Sequence, residues 1–468
     1  MTPARDFIEN CVFDDIAVGQ SASLTWTLTK RDIDLFAIFS GNMNLANVDP
    51  DFAESDIFHK VIAHDMWGAS LISTVLGTEL PGPGTIYLDQ SLRFLRPIGL
   101  GDVVTVSVMA REKEVERHQI TFDCRCVNQV GDVVIDGVAV VIAPIEKSRW
   151  SRIMLPTVTP QDHGARFRAM IARAEKLPPL LTAVVHPVDG NAIGGAVEAA
   201  QAGLITPVLV GPEARIRAAA KEAGLDISPY RLVAAEHSEA AAQVAAQMAH
   251  KGEVHALMKG SLHTDEFLHP VMDPANFLRT TFRLSHVFLM DLSSYDRVLF
   301  ITDGAININP DLEVKKDIVQ NVINMAHALG IAAPRVAILS AVEEVNPRIS
   351  STVDAAALCK MAERGQITGG VVDGPLAFDN AVSLAAAKSK HILSGVAGQA
   401  DILVAPDLEA GNMIAKQLEY LAGADAAGIV LGARVPIILT SRADSPQSRL
   451  VSCAIAALIK DFQTGIVA

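Results

Sequence analysis

Met258-Lys259-Gly260-Ser261-Leu262-His263-Thr264 is the stretch that decides the fold of most of this chain. It closes a short apolar run at 256–258, passes through a glycine and a hydroxyl residue, and leads into a helical pattern. Strand, polar turn, helix is half of a βαβ unit. The same order recurs. Apolar runs at 181–185, 208–210, 298–301, 336–339, 370–372, 402–404 and 437–439 alternate with alanine-rich helical stretches such as 192–202, 238–250, 314–329 and 413–422. This alternation predicts parallel-sheet α/β architecture. A segment of about 300 residues is expected to divide into two lobes, with the ligand in the cleft between them.

Upstream the pattern changes. Residues 24–29 alternate like a strand, 31–39 suit a short helix and 65–80 a long apolar one, closed by Pro81-Gly82-Pro83-Gly84. Strand-like runs follow at 86–95, 103–111, 118–127 and 133–142. One central helix and a run of antiparallel strands predict an α+β domain in which a sheet wraps a helix. Between the two regions, 148–164 is polar with Pro156 and Pro160, which predicts a linker. The expected organisation is therefore 1–147, linker 148–164, and 165–468, the last with one lobe of about 165–300 plus 445–468 and another of about 301–444.

Composition bounds the function. The 468 residues carry a net charge of −14, which argues against general nucleic-acid binding but leaves anionic small substrates open. No apolar run reaches the roughly 18 residues of a membrane span, and the N-terminus lacks a secretory signal pattern, so a cytoplasmic protein is expected. The five cysteines (Cys11, Cys124, Cys126, Cys359 and Cys453) have no metal or redox spacing and are expected to be free thiols. Motifs for dinucleotide binding, P-loop phosphate binding, zinc proteolysis and α/β-hydrolase catalysis are absent from the sequence.

Polar clusters follow four of the predicted strands: Lys259 and Ser261; Asp303 and Asn307; Asp379 with Asn380; and Thr440-Ser441-Arg442-Ala443-Asp444-Ser445. Carboxyl ends of parallel strands are where α/β proteins hold ligands. Ser441-Arg442 is the most specific pair. Arg offers a charged fork for a phosphate, and the hydroxyl beside it can hydrogen-bond developing charge. Ser445-Pro446 then starts a helix whose free N–H groups favour an anion. His263 and His286 are weighed as acid–base groups against ordinary structural roles.

Residues ~165–468 resemble the phosphate acetyl/butyryl transferases. The likeness lies in 190–212, ending Leu204-Ile205-Thr206-Pro207-Val208-Leu209-Val210-Gly211-Pro212, and in 256–263, 299–310, 365–380, 397–412 and 428–445. The resemblance implies two α/β lobes around a cleft and the reaction acyl-CoA + phosphate ⇌ acyl phosphate + CoA, with no metal and no bound cofactor. It implies Ser441 and Arg442 as the catalytic pair; the polar clusters at the strand ends add Lys259, Ser261, Asp303, Asn307 and Asp379 as substrate-binding candidates. In the acetyltransferase branch an Asp seven residues after the Ser serves as base; here that position is Ser448, and Asp444 is a substitute candidate, so the base stays open.

Residues ~10–145 resemble the MaoC-type (R)-specific enoyl-CoA hydratases, which have a hot-dog fold. The matching segments are 36–50, 58–66, 80–97 and 99–108. Where that family carries S-G-D-x-N-P-x-H, this chain has Ser40-Gly41-Asn42-Met43-Asn44-Leu45-Ala46-Asn47, and its H-G-M is His64-Asp65-Met66. Asn42 and Asn47 cannot ionise, and Asp65 sets a carboxylate beside a developing enolate. A catalytically degenerate hot-dog domain is expected. The overall expectation is a phosphate acyltransferase acting on short acyl-CoA, acetyl-CoA first, with no nucleic-acid or membrane partner. A closed homo-oligomer, a hexamer as first choice, follows if both regions self-associate through separate surfaces. A bifunctional hydratase/transferase and a non-catalytic acyl-CoA sensor are the competing readings.

Overall fold

The computed structural model describes residues 7–151, 158, 164–439 and 445–465. The chain separates into two compact units, Met1–Gln161 and Asp162–Ala468.

In the first unit the described strands are β1 (Phe7–Glu9), β2 (Ser21–Thr27), β3 (Ile86–Phe94), β4 (Val103–Glu114), β5 (Gln119–Val127), β6 (Val133–Ile142) and β7 (Arg149–Ser151). The helices are α1 (Lys30–Ser40), α2 (Leu45–Val48), α3 (Pro50–Ser55) and α4 (Asp65–Thr78). Five strands form an antiparallel sheet in the order β2-β4-β5-β6-β3. Helix α4 buries Trp67, Leu71, Ile72, Val75 and Leu76 in the same core as Val104, Val106, Ile120 and Phe122 of the sheet. Gly68 permits the close approach, since a Cβ there would sit 2.5 Å from Ile135 Cδ1. This is the hot-dog arrangement: a mostly apolar helix wrapped by a curved sheet. Cys124 and Cys126 lie two apart on β5 and are both buried, and all five cysteines are free.

The start of the expected linker is a strand instead. β7 pairs antiparallel with β1. Asn10 anchors this corner, donating to Pro83 O and Glu146 O and accepting from Ser148 N. Arg149 lies over the Phe7 ring and bridges Glu9 at 3.0 Å. These partners are distant in sequence, so local composition could not reveal them.

In the second unit the strands are β8 (Leu180–Val185), β9 (Ile205–Gly211), β10 (Arg231–Ala234), β11 (Ala256–Lys259), β12 (Ser285–Asp291), β13 (Leu299–Thr302), β14 (Arg335–Leu339), β15 (Val371–Leu376), β16 (Ile402–Val404), β17 (Asp425–Leu431) and β18 (Ile437–Ile438). The helices that matter for the site are α5 (Ala165–Ala174), α6 (Gly190–Gln201), α7 (Glu213–Glu222), α8 (Ser238–His250), α9 (Thr264–Met272), α10 (Leu312–Ala328), α11 (Ser350–Glu363), α12 (Phe378–Val382), α13 (Leu384–Ser389), α14 (Leu408–Leu421) and α15 (Pro446–Gly465). One sheet runs through all eleven strands, in the order β10-β9-β8-β11-β18-β17-β12-β13-β16-β14-β15.

The parallel expectation holds for each half of the sheet and fails at its centre. β10, β9, β8, β11 and β18 are parallel, as are β13, β16, β14 and β15. Between them β17 is antiparallel to β18 and β12, and β12 is antiparallel to β13. An expected lobe boundary at 300/301 thus falls inside β13, and β18 joins β11 across the expected lobes. Neither β12 nor β17 announces itself in sequence: 285–291 is buried on both faces except at half-buried Phe288, so it lacks the alternation of a half-exposed strand.

Candidate active site

The central antiparallel pair carries a cavity of about 430 Å³. Its described lining comes from five places. β11 and the turn after it supply Lys259, Leu262, His263 and Thr264. β12 supplies His286 and Phe288, which share a face because they are two residues apart. The loop after β13 supplies Ala305, β17 supplies Ala426, Ala427 and Gly428, and Leu439 follows β18. α14 supplies Asn412, Lys416 and Glu419, whose spacing of four and three puts them on one helix face.

Polar groups make part of the described lining. Lys416 Nζ bonds Glu419 Oε2 at 2.7 Å, and Asn412 Nδ2 donates to Gly304 O at 3.1 Å. His263 caps α9, its backbone N–H donating to Glu266 Oε2. His286 is buried, its ring edge-on to Phe288 at 4.4 Å between centroids, and its Nδ1 has no hydrogen-bond partner. Burial holds its imidazole down to about 3, and the Lys416 ammonium acts in the same direction. His286 is therefore neutral throughout the working range and cannot shuttle a proton as a titrating acid–base group.

This has a stability consequence. The folded state resists protonation of His286 while the unfolded chain takes a proton near 6.5. Below that pH the unfolded state binds more protons, so stability falls as pH drops from about 6.5 towards 3. The slope from this one group is about 1.4 kcal/mol per pH unit. Denaturant unfolding of the intact chain at pH 7 and pH 5 should show a smaller acid loss in His286→Asn than in the unmodified protein.

The residues expected at the site divide by role. Lys259 lines the cavity. Asp303 and Asn307 do not; they build the loop that carries Ala305 there. Asp303 is buried, and its carboxylate accepts from the N–H groups of Ala305, Ile306 and Asn307 and from Asn307 Nδ2. Burial raises its pKa, against the lowering effect of those bonds. Asn307 Nδ2 also donates to Leu284 O. Ser261 donates to Asp189, the N-cap of α6, and accepts from Val188 N, so it ties the turn after β11 to the turn after β8. Asp379 is exposed at the start of α12, 3.9 Å from Lys390 Nζ, and is absent from the described lining. The reason is topological: it follows β15, the edge strand, with β14 and β16 between it and β13.

Ser441, Arg442 and Asp444 lie outside the described residues. The flanks are described. Leu439 borders the cavity, and Ser445 caps α15, accepting from Ser448 N at 3.1 Å. Ser448 Oγ lies 2.9 Å from Ser445 Oγ. Phe288, Asn412, Lys416 and Glu419 were not anticipated. The spacing 412/416/419 within a helical stretch was the available signal for three of them.

In the first unit the two asparagines are structural hydrogen-bonders. Asn47 is buried and its Nδ2 donates to Ile62 O at 3.0 Å. Asn42 Oδ1 accepts from Asn44 N, and Asn42 O lies 3.0 Å from His64 Nε2. Asp65 is exposed in the first turn of α4.

Comparison with known proteins agrees with both units. The family described as phosphate acetyl/butaryl transferase matches residues 233–457, and the MaoC like domain matches 16–128. The phosphate acetyltransferase of Rhizobium meliloti is 60% identical over 294 residues, 63% of this chain and 93% of that protein. The phosphate butyryltransferase of Clostridium beijerinckii is 40% identical over 63% of this chain and 97% of its own length. The crystal structure of a branched-chain phosphotransacylase from Enterococcus faecalis superposes with a TM-score of 0.53 at 27% identity, covering 60% of this chain and 99% of that one.

A mixed α/β sheet carrying a lysine-lined cavity, with this degree of likeness, defines a phosphate acyltransferase. The chain belongs to the phosphate acetyl/butyryl transferase family, with a MaoC-like hot-dog domain at its N-terminal side. Among the described residues no helix is long and apolar enough to cross a membrane, and no group of three or more His, Cys, Asp or Glu is placed to hold a metal ion.

Proposed function

We propose that the enzyme interconverts acetyl-CoA plus phosphate with acetyl phosphate plus CoA, through Ser441 and Arg442. The observation that carries this is the cavity at Leu439, two residues before Ser441, with Lys259 and Lys416 on its wall. Arg442 holds the phosphoryl group as a bidentate fork. Ser441 donates to the charge that develops at the carbonyl. In the direction of acetyl-CoA synthesis the CoA thiolate attacks the acyl-phosphate carbonyl carbon, and the bond from that carbon to the phosphate oxygen breaks. CoA and phosphate enter as substrates, and no bound cofactor takes part.

Ser448 does not supply a base, because a hydroxyl does not ionise in the working range. The thiol, with an ordinary pKa of ~8.5, is instead drawn towards thiolate by the Arg442 guanidinium and the N-terminal end of α15. A panel of acetyl, propionyl and butyryl phosphate with CoA tests the proposal. Acetyl phosphate is expected to give the highest kcat/KM. No acyl-CoA formation from any of the three would leave the acyl-CoA sensor as the better reading.

A further inference from the structure

We propose that Phe288 is the specificity-determining residue that limits the length of the acyl group. The inference rests on the acyltransfer reading and deepens it.

The described lining is mixed: Lys259, Asn412 and Lys416 bring polar groups, while Phe288, Leu262 and Leu439 are its large apolar side chains. Ala305, Ala426, Ala427 and Gly428 add only methyl groups and bare backbone. Phe288 is the bulkiest apolar side chain among the described lining residues and faces Gly428 across the β12–β17 ladder, so truncating it opens the most room for an apolar chain. The acyl group of acetyl-CoA or acetyl phosphate is a carbonyl with one methyl, the shortest apolar chain such a wall has to admit.

The ring is held as a wall and not as a gate. A Cβ at Gly304 would come 2.7 and 2.8 Å from two Phe288 ring carbons, so the ring is backed against bare backbone. His286 meets it edge-on at 4.4 Å. Lys416 Nζ stands 5.7 Å from the ring centroid, within cation–π range. Backbone on one side, a buried imidazole on the next and an ammonium over the ring leave little room for another rotamer. Gly428 pairs with Phe288 across the β12–β17 ladder, and a Cβ there would meet Leu439 O at 2.8 Å, so no side chain fits at the position opposite the ring.

One methylene in an apolar pocket changes discrimination about 10–200-fold, and butyryl exceeds acetyl by two. The test measures kcat/KM of the full-length protein for acetyl-CoA and butyryl-CoA with inorganic phosphate, for the unmodified enzyme, Phe288→Leu and Phe288→Ala. The unmodified enzyme should prefer acetyl-CoA. The butyryl-to-acetyl ratio should rise in Phe288→Leu and rise by at least ~10-fold in Phe288→Ala. A ratio unchanged within about twofold in a variant that still turns over acetyl-CoA would overturn the proposal. So would loss of both activities in both variants, because a residue that only excludes long chains is not needed for the short one. Failure of the acyltransfer reading itself would look different: no phosphate-dependent CoA release by the unmodified enzyme from either substrate.

Discussion

Ser441→Ala is expected to lower kcat about 10²–10³-fold, with KM for acetyl-CoA and phosphate changed far less. The asymmetry follows from when the bond forms. A hydroxyl aimed at a carbonyl oxygen or a departing thiolate gains little in the ground state, where the charge is small. On the proposed mechanism it gains most in the transition state, where the charge has developed. Arg442→Lys is expected to be comparably damaging, but with the larger change in KM for phosphate. An ammonium keeps the charge and loses the planar fork that holds two phosphate oxygens at once. Steady-state kinetics in both directions, on variants whose thermal unfolding matches the unmodified protein, check both expectations. Near-normal turnover in the two variants would remove the pair from the chemistry and return attention to Lys259 and Lys416.

The second large effect concerns the hot-dog unit. The intact chain should show no hydration of a short enoyl-CoA above the uncatalysed rate. Hydration needs a base to activate water and an acid to protonate the α-carbon, a contribution of roughly 10²–10⁴-fold. The side chains at the two matching positions are amides already committed to local bonds: Asn47 to Ile62 O and Asn42 to Asn44 N. Asp65 is exposed at the start of α4, where its carboxylate would oppose enolate charge. Asn42→Asp, Asn47→His and Asp65→Gly together are expected to recover measurable hydration, and any one alone should not, because acid, base and anion contact act as a unit. Spectrophotometric loss of the enoyl chromophore reads the result. Robust turnover by the unmodified chain, abolished by changing Asn42 or Asn47, would show that the domain is not degenerate.

The division of labour between sequence and tertiary structure is sharp in this protein. Local pattern alone located α4, the four long strands β3 to β6, and most of the parallel α/β strands, because each carries its own signal. α4 is apolar along its length between a capping region and a proline–glycine turn, and the parallel strands are short apolar runs separated by helices. Lys259 was legible for the same reason, since it ends such a run before a glycine turn. The Ser441-Arg442 pair stands out in the sequence as a hydroxyl beside a guanidinium after a strand, and it lies outside the described residues.

What folding decided was which of these polar turns share a place. Asp379 looked equivalent to Lys259 along the chain, but strand order put it at the sheet edge. Asp303 looked like a ligand-facing carboxylate, yet its buried position made the loop's own N–H groups its partners. Conversely, His286, Phe288, Asn412 and Lys416 meet around one cavity only because β12 and β17 insert antiparallel between two parallel blocks, and α14 lays one face beside them. Residue type and local period are written in the chain and can be read from it. Strand order depends on pairing between segments more than a hundred residues apart, as with β12 and β17, and no local pattern encodes that pairing.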